Sequence, residues 1–302
     1  MEVEHMLSLK RRTRGEALFD QLNVAGMLLI CFITLYPVWY VLVNSLNEGK
    51  DAMTGVIYWW PRVFSLENYT TVFKNEGILQ AMWITVCKTL AGTLLHVFFT
   101  AMVAYALSRQ ELIFRKFYML LGTVTMFFSG GLIPTFLLIK QLNLLDNFLV
   151  YIIPVMFSFF DLIIFMTFFR EIPAGLEEAA KIDGANDFRI FTSVVIPASM
   201  PVMATIALFH GVYQWNDYFA GVIYITRKID LQPVQTYLYR IVAQSSTSGI
   251  AQSAAGGITG RTVTGQSIKL ATMVVTTLPI VFVYPFLQKY FVKGFMIGSI
   301  KG

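Results

Sequence analysis

Glu171–Pro197, EIPAGLEEAAKIDGANDFRIFTSVVIP, lies between two long apolar runs and carries helical signals of its own. Pro173 and Gly175 end what precedes it. Glu177 and Glu178 fall in the first turn of a short expected helix, where the helix dipole favours carboxylates. Leu176, Ala179, Ala180 and Asp183 follow at three- and four-residue spacing and give a small, shallow face. Gly184 breaks that helix. Asn186 or Asp187 caps a second one, with Phe188, Phe191 and Val195 on one side. Pro197 opens the next apolar run. The stretch therefore reads as helix, turn, helix. Small residues at the bend, Gly184 and Ala185, let another protein's surface come close to the backbone. An ordinary loop between two membrane helices carries the same signals, so the residues alone leave both readings open.

The runs on either side belong to a lipid-soluble chain. Of 302 residues, 56% are hydrophobic and only 14% charged, with a mean hydropathy of +0.62. A soluble domain has about 25% charged residues, so lipid is the expected solvent for much of this chain. The net charge of +5 is assigned to cytoplasmic Lys and Arg, not to nucleic-acid binding. Cys31 and Cys87 both fall in apolar runs with no partner pattern and read as small buried hydrophobes, not as a disulfide or metal site.

Six apolar runs are present: Val24–Val43, Gly77–Leu107, Phe117–Ile139, Phe148–Phe169, Ala198–Ile225 and Ile268–Leu287. The expected fold is an all-α integral membrane protein of six transmembrane helices. Residues 1–21 form a basic tail with Lys10, Arg11, Arg12 and Arg14, and residues 22–302 form the six-span domain. The first run is too long for a signal-peptide core and is read as a retained span. Arg109, Arg115 and Lys116 in one short loop, against Lys140 in another, put both termini in the cytoplasm by the positive-inside rule. The same rule puts 171–197 there too. Trp59 and Trp60, in the loop Asn47–Glu76, suit a membrane–water interface. Gly130, Gly131 and Pro134 kink or unwind the third run. The loop Arg227–Ser267 is expected to be mobile from Ala243 to Gly260, where Ser, Thr, Gln, Ala and Gly dominate.

Ionisable groups inside apolar runs are functional candidates by default. Lys88, early in the second run, is expected to snorkel to the outer interface; a polar cavity is the alternative. His96 is deeper and reads as a packed neutral histidine bonded to a neighbouring helix. Asp161, mid-run among phenylalanines, should face the bundle interior, bonding either a sugar or a helix. Trp215-Asn216-Asp217 combines indole, amide and carboxylate, the groups that read sugar faces and hydroxyls; a helix-packing cluster is the competing reading. Asp161, Trp215, Asn216 and Asp217 are thus the candidate substrate-cavity residues. No GxxxxGK[ST] loop is present, so ATP and Mg, if used, belong to another chain, and no cofactor or metal is expected on this one. No Ser/His/Asp constellation or HExxH occurs at plausible depth. The runner-up reading is an ion-coupled secondary transporter, which would want inverted repeats and paired intramembrane charges.

Glu178-Ala179-Ala180, three residues, Gly184, nine residues, then Val194-x-Ile196-Pro197 resembles the EAA loop of importer-type ABC transporter permeases, in its carbohydrate-importing, maltose-permease-like branch. Trp215 to Phe219 resembles the fifth span of those permeases. The C-terminal run from Tyr284 to Gly294, then Gly298 to Gly302, is similar to their ending. Phe128 to Thr135 resembles a branch associated with oligosaccharides or complex glycans. The resemblance runs from about residue 24 to the end. It implies a type I importer permease fold and a non-enzymatic subunit. It also implies that Glu178, Ala179, Ala180, Asp183, Gly184 and Ala185 couple the chain to an ATPase. The implied partners are a homologous second permease, an ATPase dimer at the cytoplasmic face, an extracytoplasmic sugar-binding protein and the lipid bilayer. The implied location is the bacterial inner membrane.

Overall fold

Helix formers precede the first apolar run, and the helix starts with them. In the computed structural model, which describes residues 14–52, 54–55, 57–243 and 264–299, α1 spans Arg14–Ser45 with Glu16 in its first turn. The expected tail is therefore already helical from residue 14, because RGEALFDQL contains no helix breaker besides Gly15. Pro37 lies inside α1 without ending it, as apolar surroundings permit. From Leu18 to Trp39 most side chains of α1 are exposed in this chain, whereas Val43, Asn44 and Ser45 at its end are buried; an apolar helix bare over this length belongs in lipid or against another chain. Cys31 is among the exposed residues. It is not the buried hydrophobe expected, because the neighbouring residues of α1, Leu28 to Leu35, pack against little of this chain.

By contacts the described residues divide into two units, those up to 70 with 264–274, and 71–243 with 275–299. In the first, the expected polar loop after α1 is tightly built. It holds α2 (Gly49–Ala52) and the start of α3 (Glu67–Lys74). Asn68 Nδ2 donates to the carbonyls of Ser45 and Asn47, and Asn47 Oδ1 accepts from Val63 N. Arg62 pairs with Asp51 at 3.1 Å. Trp39 Nε1 donates to the Trp59 carbonyl, and Trp59 stacks near Phe32 and Tyr36. An aromatic cluster of this kind suits an interface.

The second unit is organised on α4 (Glu76–Ser108), capped by Asn75, whose side chain accepts from Ile78 N. Its buried residues run Ile78, Ala81, Ile84, Lys88, Gly92, His96 and on to Ala101 and Ala104, one face at helical spacing. Small residues on that face admit close neighbours. A Cβ at Gly92 would lie 2.4 Å from Gln214 Nε2.

The next elements are broken helices. α5 (Arg115–Phe127) and α6 (Leu132–Gln141) meet at 117° across 128–131, where Gly131 has φ 82, a conformation glycine adopts freely. Residues 148–155 form 3-10 turns that meet α7 (Phe159–Phe169) at 53°. Then come α8 (Ala174–Ile182), α9 (Asp187–Ile190), a π turn at Phe191–Val195 and α10 (Ile196–Ala198). α11 (Met200–Asn216) follows at 83° to the preceding piece. So the helix expected to open at Pro197 starts, after the bend, at Met200. Pro197 sits in the last helical turn before the break at Ser199. α12 (Phe219–Tyr224), a helix at 234–243, here α13, and α14 (Gly265–Ser299) complete the chain. The expected mobile segment beyond Ala243, and the side chains of the C-terminal motif from Tyr284, lie outside the described residues.

Among the described residues, three helices are long and apolar enough to cross a membrane: Leu18–Ser45, α4 and Gly265–Val283. Three bent pairs also qualify, so the chain has three spans, or up to six if each pair is one. The core joins α4, α7, the π turn and α11 through Ala101, Ala104, Leu162, Phe165, Phe191 and Ile206, all nearly inaccessible.

Candidate functional site

At one end of the second unit, α8 and α9 form the helix–turn–helix read from the sequence. Pro173 precedes α8, Glu177 lies in its first turn, and Asp183 ends it. Gly184 has φ 78 and an added Cβ there would meet nothing within 4 Å. Asn186, the first of the two expected caps, accepts from Arg189 N. No residue of α8 is buried. Of the three residues expected on one side, Phe191 and Val195 are buried and Phe188 is exposed. Glu178, Ala179, Asp183 and Gly184 are all exposed, and Ala180 and Ala185 are half-buried against the core. The helix is held from behind. Glu177 accepts from Arg109 Nη1, and the Arg109 guanidinium lies 4.1 Å from the centre of the Tyr105 ring, which packs 5.4 Å from Phe191. Burial pulls the Arg109 pKa down, but the Glu177 bond and Tyr105 outweigh it and raise the value, so the guanidinium stays charged.

Deeper in the unit is a band of polar groups. Lys88 does not snorkel. Its side chain is wholly enclosed, and Nζ donates to the Asp217 carbonyl at 2.9 Å and to Asp217 Oδ2 at 3.3 Å, 4.9 Å from the Tyr151 ring centre. The cause is the end of α11. Asp217 is the C-cap residue, its Oδ1 accepts from Phe219 N and Ala220 N to start α12, and Lys88 neutralises the other oxygen. Trp215 is buried and its Nε1 donates to the Thr276 carbonyl. Asn216 is exposed, with Nδ2 on the Val212 carbonyl.

His96 and Asp161 meet. His96 Nε2 lies 2.9 Å from Asp161 Oδ2, and Nδ1 lies 2.8 Å from the Val155 carbonyl. Asp161 is not in mid-helix. It sits in the first turn of α7, capped by Ser158, because the expected fourth span breaks at 156–158. His210 of α11 stacks on His96 with ring centres 3.7 Å apart and planes 9° from parallel. Asp161 and the WND run are not brought into one cluster: Asp161 joins His96 and His210, and Asp217 joins Lys88. Sequence reasoning did not single out His210, Gln214 or the Arg109–Glu177 pair. His210 carried a usable signal, an ionisable residue within an apolar run. Arg109 and Glu177, 68 residues apart, carried none. No group of three His, Cys, Asp or Glu able to hold a metal occurs among the described residues.

Residues 97–297 match the family described as binding-protein-dependent transport system inner membrane component. The chain belongs to this family. It is a transport permease subunit of an ATP-driven importer and not an enzyme, since ATP hydrolysis in such systems resides on a separate subunit. It is 40% identical over 94% of its length, and 99% of the relative's, to the polygalacturonan/rhamnogalacturonan transport system permease protein YtcP of Bacillus subtilis. It is 37% identical to protein LplC of the same organism, over 96% of this chain and 97% of the other. Among solved structures it is similar, at TM-score 0.84 and 28% identity over 93% of this chain and 99% of the other, to a chain of a bacterial ABC transporter involved in the import of the acidic polysaccharide alginate.

Proposed function

We propose that this permease subunit imports carbohydrate, in oligosaccharide form, across the bacterial inner membrane. The observation that carries the reading is its 40% identity over 94% of the chain to a polygalacturonan/rhamnogalacturonan transport system permease, joined to a likeness to an alginate importer. The subunit crosses the membrane six times, each bent pair counting as one span, with both termini in the cytoplasm. Residues 1–21 lead into the first span and 22–302 form the permease domain. Contacts between loops expected on one side support this topology. Asp146 Oδ1 accepts from the backbone of Thr226, Arg227 and Lys228, and Gln80 reaches the Asp230 carbonyl. Both sets belong outside. Arg109 and Glu177 pair at the opposite end, which belongs inside.

The stretch 171–197 then couples to an ATPase. Glu178, Ala179, Ala180, Asp183, Gly184 and Ala185 form the face that enters its cleft, and the exposure of α8 supports that role. Asp161 lines the substrate cavity. Trp215, Asn216 and Asp217 border it at the end of α11, where Trp215 and Asp217 brace the wall. A second, homologous permease, an ATPase dimer and an extracytoplasmic sugar-binding protein complete the assembly. Co-purification of this chain in detergent, with mass spectrometry of what accompanies it, tests the reading. A homologous multi-span chain and a P-loop ATPase are expected. A lone chain or homodimer without ATPase would overturn it.

A further inference from the structure

A cavity of about 350 Å³ opens beside the stacked histidines, bordered by His96, Asp161 and His210, with Phe157, Phe209 and Tyr213 around them. That is within the range of about 300–1,000 Å³ typical of small-ligand sites.

Hydrogen-bond chemistry counts the protons in it. A carbonyl only accepts, so His96 Nδ1, at 2.8 Å from the Val155 carbonyl, carries a hydrogen. That carbonyl is available because the helix breaks there. In a neutral ring Nε2 would then be an acceptor, facing the acceptor Asp161 Oδ2 at 2.9 Å. Two acceptors do not sit so close without a proton between them. The pair therefore holds one extra proton and sums to zero charge, whichever partner carries it. Gln214 Nε2 donates to the Tyr151 carbonyl at 2.9 Å, which fixes the orientation of its amide. The same nitrogen lies 3.5 Å from His210 Nε2, so that ring nitrogen is the acceptor and His210 is neutral with its hydrogen on Nδ1. A neutral ring stacked on His96 avoids repulsion between two cations.

What remains for a ligand is specific. Among the described residues Asp161 Oδ1 has no hydrogen-bond partner, and the Asp161 side chain is 19% exposed. The Tyr213 hydroxyl and His210 Nδ1 also stand without a described partner, and aromatic rings flank them. An acceptor oxygen, two donors and apolar ring faces read hydroxyls and C–H surfaces. Among the described residues no uncompensated positive charge borders the cavity to hold a carboxylate, and no group of three His, Cys, Asp or Glu is placed to hold a metal.

We propose that this cavity is a subsite, on this chain, for one uncharged sugar ring, read through its hydroxyls by Asp161, His210 and Tyr213. It rests on the carbohydrate reading above and narrows it: if the transported glycan is acidic, its carboxylates are read elsewhere in the assembly.

The test uses the complete transporter, with its ATPases and binding protein, in proteoliposomes, and two probes, arabinotriose and trigalacturonate. Asp161→Ala removes the cavity-facing acceptor oxygen outright. Tyr213→Phe removes a hydroxyl with no internal partner, so it leaves folding intact and serves as the second variant. Uptake of whichever probe the wild type carries is expected to fall about tenfold in each variant. If it carries both, the ratio between them stays within twofold. Wild-type uptake in both variants would overturn the subsite while leaving the carbohydrate reading standing. A selective loss of the acidic probe would overturn its neutral character. A wild-type transporter whose ATPase and uptake respond to neither these nor any other glycan would overturn the carbohydrate reading and the subsite together.

Discussion

Lys88 illustrates what a buried charge needs. Its ammonium is shut off from the surface and faces two oxygens of Asp217 and one aromatic ring. Removing one partner of such a pair costs about 3–5 kcal/mol, because the other is left buried and uncompensated. Lys88→Met and Asp217→Asn should therefore each lower the thermal stability of the purified protein. The double variant should be more stable than either single one. A double variant whose loss equals the sum of the two would show that the pair is not coupled. Asp146 makes a second residue-scale prediction. Three backbone N–H groups, Arg227's foremost, hold its carboxyl below the usual carboxylate range. A depressed value contributes stability that is present above the unfolded value, about 3.9, and is lost as pH falls through the folded one. Hydrogen exchange at Thr226–Lys228, corrected for its intrinsic pH dependence, should stay slow from about pH 8 to 5 and quicken only below about pH 4. Lys88, His96 and Asp161 were visible in the sequence as ionisable residues in apolar runs. Their partners were not, since Lys88 and Asp217 lie 129 residues apart and His96 and Asp161 lie 65 apart.

Helix contacts turn on whether two backbones can approach. Gly92 faces Gln214, which bonds the Tyr151 carbonyl, so Gly92→Ala pushes on a tied side chain. Overpacking of this kind costs about 1–3 kcal/mol. A drop in melting temperature is expected for Gly92→Ala, while Gly211→Ala, whose Cβ would lie no closer than 3.5 Å to Thr93 Oγ1, should change little. Equal effects would mean that α4 and α11 adjust freely. The breaks between elements were only partly legible. Gly130-Gly131 announced the turn between α5 and α6. The breaks at 156–158, at Ser199 and at Asp217 fell inside runs read as continuous. Apolar runs hide their breaks because core-facing and lipid-facing positions are both apolar, so periodicity carries little information. What marks them instead is a single polar cap, Ser158 or Asp217, which a hydropathy reading passes over.

For the whole molecule the proposed coupling role raises how motion at α8 would reach α4. Arg109 caps α4, bonds Glu177 and covers Tyr105, so it is the tie between the two. Arg109→Ala should leave the subunit inserted and bound to its ATPase but raise the ATP hydrolysed per sugar imported, several-fold on the scale of a lost charged hydrogen bond. An unchanged ratio would remove Arg109 from the route. Gly184→Trp should uncouple too, and for a different reason. Nothing in this chain touches the new side chain, but φ 78 strains any residue other than glycine there, so Gly184→Ala is the control, and only the effect of Trp beyond that of Ala is assigned to the proposed cleft. Normal substrate-stimulated ATPase and uptake in the Trp variant would dismiss the docking role. At this scale the sequence was most informative. Five of its six apolar runs coincide with the three long helices and two of the bent pairs, while the fifth run takes in only the α11 side of the third pair, and the central helix–turn–helix lies where its caps put it.

The exposure of that helix–turn–helix also bears on the life of the subunit before assembly. Ile182 is 87% exposed, Leu176 51% and Phe188 59%, three large apolar side chains on a segment that, on the proposed topology, faces the cytosol. Bare apolar groups in water are what quality-control proteases and chaperones recognise. A copy made in excess of its ATPase would thus carry its own mark for removal, erased only when the ATPase covers it. The docking surface would then set the cellular ratio of the two subunits as well as transmit force between them.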